Sequence, residues 1–146
     1  MASEPAYAGD LPSTEVWKAL QEDKTAVLVD VRTRAEWTFV GIPDLSGIGN
    51  TPVLIEWQSY PAMDVDPGFV DNVRAALAER NAGPDTPVYF LCRSGARSRS
   101  AATALTQAGY TACFNISDGF EGPCDDLSHR GQVSGWKAAG LPWVQS

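Results

Sequence analysis

The chain reads as an α/β protein with a rhythm of strands and helices, built on a central parallel sheet of about five strands with helices on both faces. Three observations carry this expectation. Short apolar runs alternate with segments of helical periodicity along the whole chain. The run Ala26-Val27-Leu28-Val29-Asp30-Val31 lacks the apolar/polar alternation of a half-exposed strand, as expected where both faces of a parallel sheet are covered. A length of 146 residues with 44% hydrophobic residues supports one core and is too short for two ordinary ones. A single domain over 1–146 follows, with its core at about 11–143.

Taken in order, Leu11-Pro12-Ser13 precedes a helix over Thr14 to Leu20, with Ser13 as its cap and Val16, Trp17 and Leu20 on the apolar side. Ala26 to Val31 is the first strand. Thr33 caps a short helix to about Phe39, with Trp37 and Val40 facing inward, and Gly41-Ile42-Pro43 ends it. Pro52 to Trp57 is a second strand, and the stretch from Gln58 to Asp66 with Pro61 reads as irregular. Asp66 or Pro67 opens a helix to about Asn81 on the stripe Phe69, Val73 and Leu77, stopped by Gly83-Pro84. Pro87 to Leu91 is a buried strand. Arg97 to Ala108 is a helix with apolar residues at Ala101, Ala104, Leu105 and Ala108, capped by Gly109. Thr111 to Ile116 gives another strand. Residues 119–132, with three carboxylates, two glycines and a proline by position 126, read as an irregular surface insertion, and a last helix covers about Val133 to Ala139.

Composition removes several classes of function. A net charge of −7 argues against nucleic acid or an anionic membrane as partner. The longest apolar runs fall far short of the ~20 residues of a membrane-spanning helix. Residues 1–10 lack the basic start and apolar stretch of a secretory signal, and three cysteines at 92, 113 and 124 do not make a disulfide framework, so a cytoplasmic location is expected. With a single histidine, His129, and no Cys-x-x-Cys pair, no metal site is expected.

The informative segment is Cys92-Arg93-Ser94-Gly95-Ala96-Arg97-Ser98. It places a thiol at a strand-to-helix turn, where open α/β sheets bind ligands and where the free N–H groups of the helix favour negative charge. Arg93, Arg97 and Arg99 put three of the eleven basic residues within seven positions of this acidic chain. A free thiol titrates near ~8.5, and helix N-termini and neighbouring cations lower that to roughly 3.5–7.5. Cys92 has both influences available, so it is expected to act as a thiolate nucleophile with no histidine to take its proton. Ser94, Gly95 and Ala96 are small enough for successive N–H groups to curl around the sulfur, and Gly95 allows the positive φ such a curl needs. Arg93 and Arg97 can meet a tetrahedral oxyanion with paired hydrogen bonds.

At these residues the chain resembles the rhodanese family of sulfurtransferases, in particular its single-domain members. The likeness covers Cys92 to Arg97, Asp30-Val31-Arg32 with Glu36, and Gly135-Trp136-Lys137-Ala138-Ala139-Gly140-Leu141-Pro142, between about Leu11 and Trp143. It implies a two-step sulfur relay through a Cys92 persulfide. Sulfur would come from thiosulfate or a related small anionic donor and pass to an acceptor thiol, cyanide or a sulfur-acceptor protein, with no metal or organic cofactor. Arg93 to Ser98 would bind the donor and cradle the persulfide. The chain departs from the family at Gly41-Ile42-Pro43-Asp44, where many members have His-Ile-Pro-Gly, and in a longer insertion over 121–134.

Other readings stand beside this one. A cysteine phosphatase or arsenate reductase also cradles an oxyanion over a thiolate, but spaces its arginine six residues after the cysteine, a position held here by Ser98. A sulfur-relay or regulatory binding module would use the same loop to dock a partner. Arg99 is expected in solvent, Asp30 and Arg32 as a structural pair, Trp136 in packing, Trp57 and Tyr60 in the core or along the pocket. Cys113 is expected to be inert, His129 a surface residue, and Cys124 a candidate partner thiol for Cys92.

Overall fold

The computed structural model describes residues 7–59, 64–122 and 135–144. In chain order its elements are β1 (Gly9–Leu11), α1 (Ser13–Glu22), β2 (Val27–Asp30), α2 (Arg34–Phe39), β3 (Ile42–Pro43), a 3-10 turn (Ser46–Ile48), β4 (Val53–Leu54), β5 (Gln58–Ser59), β6 (Asp64–Val65), α3 (Phe69–Glu79), β7 (Val88–Leu91), α4 (Ala96–Gln107), β8 (Cys113–Ile116) and β9 (Trp143–Val144). Five strands form a parallel sheet in the order β1-β8-β7-β2-β4.

The centre of the sheet follows from composition. Every residue of β2 (Val-Leu-Val-Asp) and β7 (Val-Tyr-Phe-Leu) is buried, so these apolar strands lie between two covered faces. Alternation sorts their side chains. Val27, Val29, Val88 and Phe90 meet Phe69, Val73 and Leu77 of α3 and Ala101, Ala102 and Leu105 of α4. Leu28, Tyr89 and Leu91 face the other way, into a cluster with Val16 and Leu20 of α1, Phe120 and Trp136. Helices therefore cover both faces, as the sequence predicts.

Several boundaries differ from expectation. Strand β1 has no sequence signal of its own and is recruited by β8, with Gly9, Asp10 and Leu11 paired to Phe114, Asn115 and Ile116. Ser13 is not the cap of α1. Pro12 holds that position, its carbonyl accepting from the N–H groups of Glu15 and Val16, while the buried Ser13 hydroxyl donates to Asp118 at 2.7 Å. The strand expected over 52–57 is regular only at Val53–Leu54, although the N–H groups of Ile55 and Trp57 still donate to the carbonyls of Asp30 and Val31. Within the stretch expected to be irregular, β5 and β6 pair antiparallel, Gln58 opposite Val65.

Helix α3 begins later and ends earlier than expected, closing where Asn81 takes a left-handed φ of 58°. On α4 the buried stripe is Ser98, Ala101, Ala102 and Leu105 rather than one through Ala104 and Ala108. Of the expected last helix, residues 135–140 form turns, with Ala139 N–H donating to Gly135 and Gly140 N–H to Lys137, and β9 then pairs antiparallel with β3. The start of the expected surface insertion is not at the surface: Gly119, Phe120 and Gly122 are buried. The remainder of the insertion, with Cys124 and His129, lies outside the described residues, as does Tyr60.

Candidate active site

Cys92 follows the last residue of β7 and is 2% exposed. Gly95, at φ 110°, is the N-cap of α4, a helix whose first turn has neither a side-chain cap nor an acidic residue. The sulfur sits at that uncapped end, where the Gly95 N–H donates to Cys92 Sγ at 3.1 Å. Ser98, one turn on and fully buried, brings its Oγ to 3.2 Å from the sulfur and donates to Asn115 Oδ1. Asn115 Nδ2 in turn donates to Asp10 Oδ1 at 2.9 Å.

The loop is gripped from behind by the segment after β8. Phe120 N–H donates to the Cys92 carbonyl, and the N–H groups of Glu121 and Gly122 both donate to that of Arg93. The two backbones approach so closely that a Cβ on Gly119 would overlap the Arg93 carbonyl, and one on Gly95 would lie 2.6 Å from the Ser117 carbonyl oxygen. Asp118 anchors this segment, accepting from Ser13 Oγ and from the N–H of Gly135 at 3.0 Å.

The other named loop residues divide by exposure. Arg93, Ser94 and Ala96 are exposed at the mouth, whereas Arg97 is half-buried. Its guanidinium forms a bidentate pair with Glu36 of α2, at 2.7 and 2.9 Å. Glu36 is itself fixed by a capping box with Thr33. Burial alone would raise the Glu36 carboxyl, but hydrogen bonds and charge from Arg97, with the N–H of Thr33, hold it down at about 2. Burial likewise opposes the Arg97 charge, yet Glu36 and, more weakly, Cys92 and Asp30 keep its pKa above the ordinary value.

Behind this pair, Asp30 and Arg32 form a fully buried ion pair at 2.6 Å. Arg32 also donates to the Gly41 carbonyl and stacks 4.2 Å from the Phe120 ring. Trp136 is fully buried against Trp17, and Trp57 packs edge-on to Phe69 in the core. Burial pushes the Cys113 thiol up to about 11, which suits an inert residue. Sequence reasoning assigned no role to Asn115, Asp118 or Gly119. A polar residue in the apolar run Cys113-Phe114-Asn115-Ile116 was the available signal for the first. Among the described residues no cluster could hold a metal ion, and no helix is long and apolar enough to cross a membrane.

A cavity of about 640 Å³ lies at the opposite end of the sheet, beside Ala26 and Val27, lined also by Lys24, Asn50 and Arg80. Its cations are already engaged, Lys24 with the Ile48 carbonyl and Arg80 with Asn50 and Thr51. The thiol chemistry is elsewhere.

The chain is similar to known proteins. A family model described as the STR4 middle domain matches residues 9–146. The uncharacterized protein RC0915 of Rickettsia conorii is 40% identical over 131 residues, 90% of this chain and 93% of that protein. A protein named Sulfurtransferase from Allochromatium vinosum is 27% identical over 135 residues, 92% of this chain and 94% of that one. Among solved structures, Rv0390 from M. tuberculosis has a TM-score of 0.85 at 46% identity, covering 96% of this chain and 99% of that one. The polysulfide-sulfur transferase homodimer from Wolinella succinogenes, with a TM-score of 0.59 at 23% identity over 97% and 82% of the two chains, shares the fold. The five-stranded parallel architecture is rhodanese-like, and the chain belongs to the STR4 middle-domain family.

Proposed function

We propose that this chain is a sulfurtransferase that carries sulfane sulfur as a persulfide on Cys92, taking it from thiosulfate or a related small anion. The observation that carries the reading is the buried Cys92 sulfur at the uncapped N-terminus of α4, with the Gly95 N–H at 3.1 Å and Ser98 Oγ at 3.2 Å. The Gly95 N–H and the N-terminus of α4 favour an anionic atom of the size of sulfur, and Ser98 adds its hydrogen only when it turns from Asn115. The likeness to the Allochromatium vinosum sulfurtransferase supports the class of reaction.

In the first half-reaction the Cys92 thiolate attacks the outer sulfur of thiosulfate. A new S–S bond forms, the donor's own S–S bond breaks, and its electron pair leaves with sulfite. Arg93 at the mouth meets the sulfonate oxygens. Arg97 joins it, because the pair with Glu36 uses two of five guanidinium N–H groups and holds the remainder in a fixed direction. In the second half-reaction an acceptor thiol, cyanide or acceptor protein takes the outer sulfur and Cys92 returns to thiolate. No step calls for a metal or organic cofactor. A cytoplasmic, reducing setting suits a carrier thiol that must be regenerated.

Incubation with thiosulfate followed by intact-mass measurement tests this. Cys92 gains the mass of one sulfur, and Cys92→Ser gains none. Loading from another persulfide but not from thiosulfate would make the chain a relay module. Cys92-dependent hydrolysis of an aryl phosphate would make it a phosphatase.

A further inference from the structure

Asn115 is a buried amide in an otherwise apolar strand, set opposite Asp10 in the β1–β8 register. It is fully buried in β8, among Cys113, Phe114 and Ile116, and a buried amide is costly unless its polar atoms are partnered. Its partners form one line. Nδ2 donates to Asp10 Oδ1 on β1, Oδ1 accepts from Ser98 Oγ, and Ser98 Oγ stands 3.2 Å from the Cys92 sulfur. The Tyr7 hydroxyl donates to the same Asp10 oxygen at 2.8 Å.

A carboxylate only accepts, so Asp10 fixes the amide with Nδ2 toward β1 and Oδ1 toward Ser98. Serine has a single hydroxyl hydrogen. While that hydrogen is given to Asn115, Ser98 can only accept from the sulfur, which favours S–H. A bare thiolate has no hydrogen to give. Ser98 must then turn its hydrogen to the sulfur and leave the buried Asn115 Oδ1 without a donor.

We propose that Asn115, oriented by Asp10, is a positioning residue that competes with the Cys92 sulfur for the Ser98 hydroxyl hydrogen. It thereby favours the protonated and sulfur-loaded forms of Cys92 over the bare thiolate. The consequence for sulfur transfer rests on the function proposed above; the competition itself does not. In delivery, an acceptor thiolate attacks the outer sulfur of the Cys92 persulfide, Cys92-Sγ-SH. The Sγ–S bond breaks, its electron pair stays on Sγ, and the acceptor leaves as its own persulfide with the outer sulfur and its hydrogen. As charge develops on Sγ, the Ser98 hydrogen must swing away from Asn115, so the amide slows release of the sulfur.

Other charges surround this line: Arg97, whose charge acts on Cys92; Asp30 of β2 and Glu36 of α2, through Arg97; and Asp10 behind the amide, with Arg99 of α4 beside the Tyr7 hydroxyl. Asn115→Leu leaves all of them in place.

The test is the rate of Cys92 alkylation by iodoacetamide against pH, read by peptide mass on the full chain with no sulfur donor present. Asn115→Leu keeps the branching of the side chain, though with bulkier methyl ends, and removes the competing acceptor. Its profile moves to lower pH, with about a fivefold faster rate below the midpoint, as expected when one neutral hydrogen bond leaves the competition. Asp10→Ala, at an exposed position, frees the amide to turn Nδ2 toward Ser98 and moves the profile the same way by less. Both shifts vanish when Ser98→Ala is added, since the contested hydrogen is gone. An unmoved profile in the folded variants overturns the proposal, and the Asp10→Ala profile alone decides between these outcomes if Asn115→Leu does not fold. A shift that survives in the Ser98→Ala background also overturns it, being only charge acting through space. Failure of the unmodified protein to load from thiosulfate would sink the sulfurtransferase reading and leave these profiles standing.

Discussion

Glu36→Gln separates the charge at the Arg97 pair from its geometry. Glutamine retains the capping box with Thr33 and can still accept one hydrogen bond from Arg97, so the lost quantity is the ionic part of a bidentate contact at 2.7 and 2.9 Å. The two side chains are 18% and 15% exposed, so water screens the pair only weakly. The Glu36 carboxyl stands at about 2 against an ordinary 4.5, a displacement worth at most roughly 3 kcal/mol of folding stability and shared between Arg97 and the bonds from Thr33. Charge-assisted hydrogen bonds give a similar figure of about 1.5–3 kcal/mol, so the variant is about 2–3 kcal/mol less stable at pH 7. Because the folded value lies below the unfolded one, the unfolded chain takes up the proton first as pH falls. The contribution is complete above about 4.5 and gone near 2. Urea unfolding of both proteins at pH 7, 4 and 2.5 measures this. The gap between them should shrink through that range. A gap that stays constant, or is absent at pH 7, would refute the pairing as the source.

Arg97→Ala raises the KM for thiosulfate and also destabilises the fold, because Glu36 keeps its charge without a partner; adding Glu36→Gln should recover the stability but not the KM. Steady-state kinetics and urea unfolding of the single and double variants read the two effects separately. Gly119→Ala places a Cβ against the Arg93 carbonyl at a φ of +67°. The left-handed conformation alone costs about 1–2 kcal/mol, so thermal unfolding falls by several degrees and thiosulfate loading drops with it. Cys113, its thiol pushed up to about 11 by burial, should resist alkylation at pH 8 in the folded protein and react in urea, as peptide mass would show.

What was legible in the sequence was what local pattern controls. The unbroken apolar runs of β2 and β7 named the sheet centre, Thr33 named a capped helix, and small residues after Cys92 named a backbone that turns the Gly95 N–H onto the sulfur. What was hidden depends on contacts distant in sequence. Three-residue β1 is too short to carry a periodicity and exists because β8 offers it an edge. Ser13 has the composition of a cap, but a carboxylate 105 positions away, Asp118, claims its hydroxyl. Arg97 reads as an anion binder with every N–H group free until Glu36, 61 positions earlier, claims two of them. Apolar alanines at 104 and 108 outweighed Ser98 in the helical pattern, although Ser98 is the residue turned inward, because its hydroxyl serves the sulfur and Asn115.

That inward serine bears on the choice between sulfur and phosphorus. A cysteine loop that binds a phosphoryl group needs an arginine aimed at its tetrahedral oxygens, and the spacing that would supply one ends at position 98. Here that position is a fully buried hydroxyl in contact with the sulfur itself. The arginine one residue earlier is drawn sideways to Glu36, and the one after the cysteine is exposed. The groups nearest Sγ are therefore one N–H and one hydroxyl, a ring that fits a single sulfur atom, while the oxygens of a donor anion would lie outside it, toward Arg93 and Arg97. Loop length and side-chain pairing are independent features, and both favour sulfur. The expected outcome is a Cys92 that gains one sulfur from thiosulfate and no phosphoryl group from an aryl phosphate at the same concentration, both read by intact mass after quenching. A phosphorylated Cys92 would show a cradle wide enough for phosphorus and overturn the reasoning from ring size.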